Sequence, residues 1–314
     1  MPFLFEYSSG NFMNKQIEGR TIASLCGLGA ILLWALLALF TAGTAQIPPF
    51  QLTAMTFLIA FLGVSLKWIF YRQDVRKFFS IPLSLWALGV AGLFGYHFFY
   101  FLALKNAPAA EASLIAYLWP LLIVLFSTLL PGERFYWFHF VGGLISLVGA
   151  GLLITKGSAF ELQPEYTKGY LAAICCAFIW SGYSVLSRRY AGVSSDVIGL
   201  FCGITAVLSL GAHLLFEATL WPQNTLQWLA VLGLGLGPVG AAFFLWDRGM
   251  KHGDIQSLGV LSYLSPLLST LILLIMGVAS FSWSLILGCL LITIGALVGS
   301  INLLRSLSSP GTPD

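Results

Sequence analysis

Apolar residues run along this chain in blocks of about twenty, separated by short clusters of charge, proline and glycine. At a rise of about 1.5 Å per residue, roughly 20 helical residues cross a hydrocarbon core of about 30 Å. The pattern predicts ten such helices, near 21–42, 50–71, 81–104, 110–130, 135–155, 169–187, 196–217, 226–247, 255–278 and 282–304. The expected fold class is therefore an all-α polytopic membrane protein. Residues 1–20 read as an N-terminal tail, 156–168 as an external linker and 306–314 as a C-terminal tail.

The positions of Lys and Arg orient the spans. With the N-terminus in the cytoplasm, that side collects twelve of the fifteen, from Lys15 and Arg20 through Lys67, Arg72, Arg76, Lys77, Arg134, Arg188, Arg189, Arg248 and Lys251 to Arg305. Lys105, Lys156 and Lys168 fall on the other side. Shifting the count by one span would reverse the bias, so both termini are expected in the cytoplasm.

An offset of 146 superimposes one half of the chain on the other. It maps Trp34 onto Trp180, Gly89 onto Gly235, Lys105 onto Lys251, Tyr117 onto Tyr263 and Pro120 onto Pro266. Further on it maps Phe135 onto Phe281, Trp137 onto Trp283, Gly142 onto Gly288 and Gly149 onto Gly295. Each half, 21–155 and 169–305, holds five spans, an odd number, so the second must enter the membrane from the opposite side. Inverted halves can expose one midplane site to each side in turn.

Composition narrows the function. With 58% hydrophobic and 9% charged residues the chain cannot cover a soluble surface, and its natural surroundings are a lipid bilayer. A net charge of +3, dispersed, gives no nucleic-acid footprint. The five cysteines lie in apolar runs without the spacing of a metal site, and GLGLGPVG at 233–240 lacks the Lys-Ser/Thr of a phosphate-binding loop. No cofactor and no metal is expected, and no nucleophile set points to an enzyme.

Candidate chemistry gathers at mid-span. The fourth and ninth spans share Tyr-Leu-x-Pro-Leu-Leu, in IAYLWPLLIVLF and LSYLSPLLSTLI. Proline in a helix interior frees a carbonyl, which protein or a water-filled cavity must receive. Pro120 and Pro266 are thus expected to kink two helices that face each other at the depth of a bound solute.

Trp34, Tyr96, His97, Tyr100, Tyr117, Trp119, Trp180, Tyr183, Trp246 and Tyr263 form a deep aromatic group. Flat apolar walls with a few polar tips suit a small, partly polar organic molecule. Tyr96 and Tyr100 share one helical face, with His97 at its margin, where it either contacts solute or is satisfied by a neighbour.

Other residues read more plainly. Trp68, Trp137, Trp221, Trp228 and Trp283 are expected at the membrane interfaces, and Glu111 is expected to offset a helix dipole. Asp247 and Arg248 are expected to pair with each other or with headgroups. His213 and Glu217 lack a third ligand for a metal. Glycines at 142–151 and at 288, 295 and 299 let the fifth and tenth spans approach closely, within one chain or across a homodimer.

These features resemble the drug/metabolite transporter superfamily with two EamA-type repeats, over residues 21–305. AEASLIAYLWPLLIVLF, AFIWSGYSVLSRRYA and GVLSYLSPLLSTLI resemble more narrowly the YddG-type exporters of aromatic amino acids. The resemblance implies a basket of helices around a central cavity in the bacterial inner membrane. It implies a secondary transporter that moves aromatic amino acids or related metabolites by alternating access, in export or facilitated exchange. It also places Tyr117, Trp119, Trp180, Ser262 and Tyr263 on the cavity lining, with Ser265 standing where the first half has Trp119. The alternatives are an intramembrane enzyme using His97 and a passive channel, and for the channel the spans are too apolar.

Overall fold

The structure, a computed structural model, describes residues 3–159, 162–277 and 280–308. Among them the ten apolar blocks fold as α1 (Glu18–Ala42), α2 (Pro49–Phe70), α3 (Leu83–Asn106), α4 (Ala109–Ser127), α5 (Trp137–Thr155), α6 (Pro164–Tyr190), α7 (Ser195–Phe216), α8 (Thr225–His252), α9 (Ile255–Ile275) and α10 (Trp283–Gly299). The first nine are long and apolar enough to cross a membrane. At α10 the helix stops after 17 residues, and a separate helix, Ile301–Ser308, follows Ser300. The helix that carries α1 begins at Phe3, within the expected tail. The C-terminal tail from 309 on, and positions 160–161 of the linker, lie outside the described residues.

Local chemistry sets the helix ends. The side chains of Asn224, Asp254 and Ser282 accept backbone N–H groups at the starts of α8, α9 and α10. At α2, Pro49 takes the first turn and the Glu217 carboxylate accepts from Phe50 N and Gln51 N at 2.9 and 3.1 Å. His213 holds that carboxylate through Nδ1 at 2.9 Å. The pair that sequence spacing leaves short of a metal site thus fastens the end of α7 onto the start of α2.

The repeat is visible in the packing. Each helix finds its main partner in the other half: α5 with α10, α2 with α7, α1 with α8 and α3 with α6. Both α3 and α8 contain a single π-helical turn, at Ala91–Gly95 and Gly237–Ala241, again 146 apart. Three residues touch their own equivalents. Trp34 meets Trp180, Tyr263 bonds to Tyr117, and Ser146 reaches the carbonyl of Ile292. A residue in contact with its own symmetry mate lies at the axis relating the halves, so a pseudo-two-fold axis runs through the centre of the bundle.

The glycine faces of α5 and α10 meet each other within the chain. A Cβ at Gly149 would lie 2.8 Å from the Gly288 carbonyl oxygen, and one at Gly142 2.6 Å from Gly299 N. The backbones approach so closely that a side chain at either position would collide with main chain.

One interfacial expectation is overturned. Trp137, Trp221, Trp228 and Trp283 are exposed, but Trp68 is buried against Phe78, Val64 and Leu200, because the short helix Arg76–Phe79 folds back over it.

Candidate solute-binding site

Four tryptophans from four different helices meet at the axis. Trp34 of α1 lies 6.3 Å from Trp119 of α4, 5.8 Å from Trp180 of α6 and 5.0 Å from Trp246 of α8, centroid to centroid. Trp119 stands edge-on to Trp180 at 6.3 Å and to Trp246 at 5.8 Å. Such edge and tilted pairs each add about 0.5–1.5 kcal/mol beyond area burial. All four are less than 10% exposed, so their rings fill the centre themselves. Their two hydrogen-bonded indoles are directed by the fold. Trp34 Nε1 donates to the Pro238 carbonyl at 3.1 Å, inside the π turn of α8, and Trp246 Nε1 donates to Ser184 Oγ at 3.0 Å.

Tyr96, His97 and Tyr100 of α3 and Tyr117 of α4 are half-buried. Tyr96 stacks on Tyr100 at 6.0 Å and leans on Trp180 at 5.5 Å. His97 Nδ1 lies 2.7 Å from the Leu93 carbonyl, so that nitrogen carries a proton and Nε2 is left for another partner. Tyr100 Oη and Ser113 Oγ share a hydrogen bond at 3.0 Å. The histidine is thus tied to its own helix through one nitrogen only.

The matched prolines break both helices within the turn ahead of themselves. Pro120 falls in the first turn of the helix Trp119–Ser127, and Pro266 in the first turn of Leu264–Ile275, where a missing N–H removes no helical bond. The breaks lie just before them, at Tyr117–Leu118 and Ser262–Tyr263. Tyr263 Oη donates to the Tyr117 carbonyl at 3.1 Å, so protein rather than water receives a carbonyl at the break. Tyr263 is fully buried in that role. Ser262 is buried too, with Oγ donating to the Leu258 carbonyl at 2.8 Å. Neither presents a free polar group in this state.

Polar contacts close one end. Arg188 of α6 lies 2.8 Å from Glu133, and its other nitrogen donates to the carbonyls of Met250 and Gly253 at 3.0 and 2.9 Å. Arg20 stands 4.0 Å from both Glu133 and Asp254. Towards this end every residue of Ile255–Leu261 is buried, whereas in Leu264–Ile275 only Ser265 and Leu267 are. The bundle is closed on the face that carries Arg20 and Arg188. At the other end Tyr170 donates to the Glu111 carboxylate, so Glu111 ties α4 to α6 besides beginning a helix.

Asp247 departs from its expected pairing. It forms a 2.8 Å ion pair with Lys251, one helical turn on, and Tyr183 faces the same carboxylate from α6. Both charged side chains are almost wholly buried, with Lys251 also donating to the Val193 carbonyl at 3.0 Å. Arg248 points outward instead.

Sequence reasoning missed Phe243 and Phe57. Phe243 packs on Trp34, Trp180 and, stacked at 5.6 Å, on Phe57. The signal for Phe243 was available, since it is the repeat equivalent of His97, 146 residues on. Phe57 maps onto Gly203 and carries no such mark.

The profile of the EamA-like transporter family matches residues 21–155 and again 167–301, two stretches in the 146-residue register. The chain is 52% identical over 283 residues to a protein of Ancylobacter novellus named aromatic amino acid exporter YddG, covering 90% of this chain and 98% of that one. It is 27% identical over 294 residues to the Escherichia coli protein of the same name, covering 89% and 97%. A crystal structure of a protein 51% identical in sequence matches with a TM-score of 0.85, over 90% of this chain and 99% of the other.

Proposed function

The chain belongs to the EamA-like transporter family, with both halves matched, and from that premise we propose that it exports aromatic amino acids and related metabolites across a bacterial inner membrane. The observation that carries the substrate class is the half-buried tier of Tyr96, His97, Tyr100 and Tyr117 above the four indoles. A flat ring stacks on such walls, while His97 Nε2 and the Tyr100–Ser113 pair supply directional contacts for polar groups.

In this reading the present state is closed to the cytoplasm by the Arg188–Glu133 cluster, and solute enters or leaves on the opposite side. Rocking of 21–155 against 169–305 about the central axis, with the breaks at Tyr117–Leu118 and Ser262–Tyr263 as hinges, would open the other end. Trp34, Trp119, Trp180, Tyr183 and Trp246 then form the floor that parts, and Pro120, Ser262, Tyr263 and Pro266 stiffen the hinge helices. Both termini lie in the cytoplasm, which follows the Lys and Arg bias. The glycine faces of α5 and α10 are taken up within the chain, so a homodimer would have to use another surface.

Purified protein in proteoliposomes tests the proposal. Unlabelled tryptophan loaded inside should drive saturable uptake of labelled tryptophan or phenylalanine, with alanine a poor competitor. Flux without trans-stimulation would make the protein a channel, and no flux of any aromatic amino acid would remove the substrate class.

A further inference from the structure

A second concavity lies away from the aromatic centre, between α2 and α8. Helix α2 packs closely on Thr225–Leu236 and on the π turn of α8, then diverges along Ala242–His252. The divergence leaves a groove of about 880 Å³. Gly63, Val64, Leu245 and Phe244 make its walls apolar, and the loop Ala191–Asp196 closes its end. Gly63 faces open space, with the nearest atom to an added Cβ being Leu236 Cδ2 at 3.7 Å.

The rim of the groove is basic. Lys67, Arg248 and His252 line it together with one carboxylate, Asp196. Asp196 is engaged by Lys67 at 2.6 Å. Arg248 is exposed and has no acidic partner among the described residues, because Asp247 beside it is turned inward to Lys251. An apolar trough that ends in an unneutralised guanidinium, at the level where α8 leaves the membrane, matches a chain and an anionic headgroup at one interface.

We infer that this groove holds one anionic phospholipid, its phosphate on Arg248 and His252 and an acyl chain along Gly63, Val64 and Leu245. The occupant is a lipid rather than a free anion because the apolar walls extend past the rim to Ala60 and Gly240. The lipid wedges the cytoplasmic halves of α2 and α8 apart without entering the aromatic site. Phe57 and Phe243, stacked on each other, belong to the aromatic centre and do not line the groove. The inference stands apart from the transported substrate.

Native mass spectrometry of the full chain, exchanged into phosphatidylglycerol or phosphatidylcholine nanodiscs and then released, reads the site. Wild type should retain one phosphatidylglycerol at least about fivefold more than phosphatidylcholine. Arg248→Gln/His252→Gln, both exposed positions, should lose that preference. Gly63→Phe, which fills the trough and leaves the rim charge unchanged, should lose the retained lipid altogether. Arg76→Gln, on the same face but outside the groove, should behave as wild type. Equal loss with Arg76→Gln, or full retention with Gly63→Phe, would overturn the site in favour of general surface charge.

Discussion

The indole of Trp34 lies 5.8 Å from that of Trp180, its own equivalent 146 residues further along the chain. Contact between symmetry mates places both rings at the axis about which the halves exchange. In an alternating cycle the two halves exchange conformations, so the end that is open in one state is closed in the other. Rings at the axis belong to both.

That position makes the tryptophans the strongest candidates for flux without contact to either bulk phase. Trp119→Ala and Trp180→Ala should each lower labelled tryptophan uptake about tenfold or more, near 1.4 kcal/mol. Truncating a buried aromatic also costs about 3–5 kcal/mol of stability, so monodispersity in detergent is read alongside. Trp180→Phe, which keeps a ring against Trp246, should lose less on both counts. Normal uptake by both alanine variants would place the transport path elsewhere.

The hydroxyl of Tyr263 closes the break in α4 by donating to the Tyr117 carbonyl at 3.1 Å. Tyr263→Phe removes that donor and leaves a buried carbonyl short of a partner, a loss of about 1–3 kcal/mol. The expected result is a lower thermal midpoint and slower exchange, with substrate affinity little changed. A midpoint equal to wild type would show that water satisfies the carbonyl.

Much of this architecture was legible before any coordinates. Ten apolar blocks follow from length, since bilayer thickness fixes the length of a span, and the 146-residue register follows from matched residues such as Trp34 and Trp180. Aromatic residues at mid-span marked the centre, and Trp34, Trp119, Trp180 and Trp246 do converge there. Side-chain direction was not legible. Pro120 and Pro266 pointed to breaks in the fourth and ninth spans, and the chain does break within the turn ahead of each, but that each proline then opens a new helix was not legible. Asp247 looked paired with its neighbour Arg248, whereas residues one apart point to different sides of a helix and Lys251, four on, shares its face. Phe57 carried no sequence signal because an ordinary phenylalanine in an apolar run reads the same on every face.

The α5–α10 contact offers a steric test of the fold. A side chain at Gly149 would meet the Gly288 carbonyl oxygen at 2.8 Å and Ile292 at 2.9 Å, both on the facing helix. Gly149→Leu should therefore abolish the monodisperse peak or reduce its yield severalfold. Gly211 of α7 has nothing within 4 Å of an added Cβ, and Gly211→Leu should express as wild type. Equal yields for the two variants would contradict the close helix pair.

Topology is checked with cysteines at exposed positions of the two faces. Lys251 is unsuitable, being buried against Asp247. Lys105→Cys and Arg76→Cys replace exposed side chains at opposite ends of the bundle. In intact cells an impermeant maleimide should label Lys105→Cys, and Arg76→Cys only after permeabilisation. Labelling of both without permeabilisation would end the assignment of α3 as a span that starts on the cytoplasmic side.

The cluster around Arg188 has no counterpart across the repeat. Subtracting 146 from Arg188 gives Ala42, adding it to Glu133 gives Ala279, and subtracting it from Asp254 gives Pro108. This face therefore carries charges with no equivalents on the other, and the repeat does not make the two states equal in energy. Removing either partner of the 2.8 Å Arg188–Glu133 pair leaves the other charge partly buried and weakens the closed state. Arg188→Gln and Glu133→Gln should each raise maleimide labelling of a cysteine placed at Ser187, which is 1% exposed here, by about tenfold, near 1.4 kcal/mol of population shift. Lys67→Gln removes the exposed pair with Asp196 on the same face and should leave the labelling rate unchanged. If all three variants label at the wild-type rate, the closed end is held by packing around Trp246 and Met250 rather than by charge. If Lys67→Gln matches the other two, the effect is the general charge of that face and the latch assignment fails.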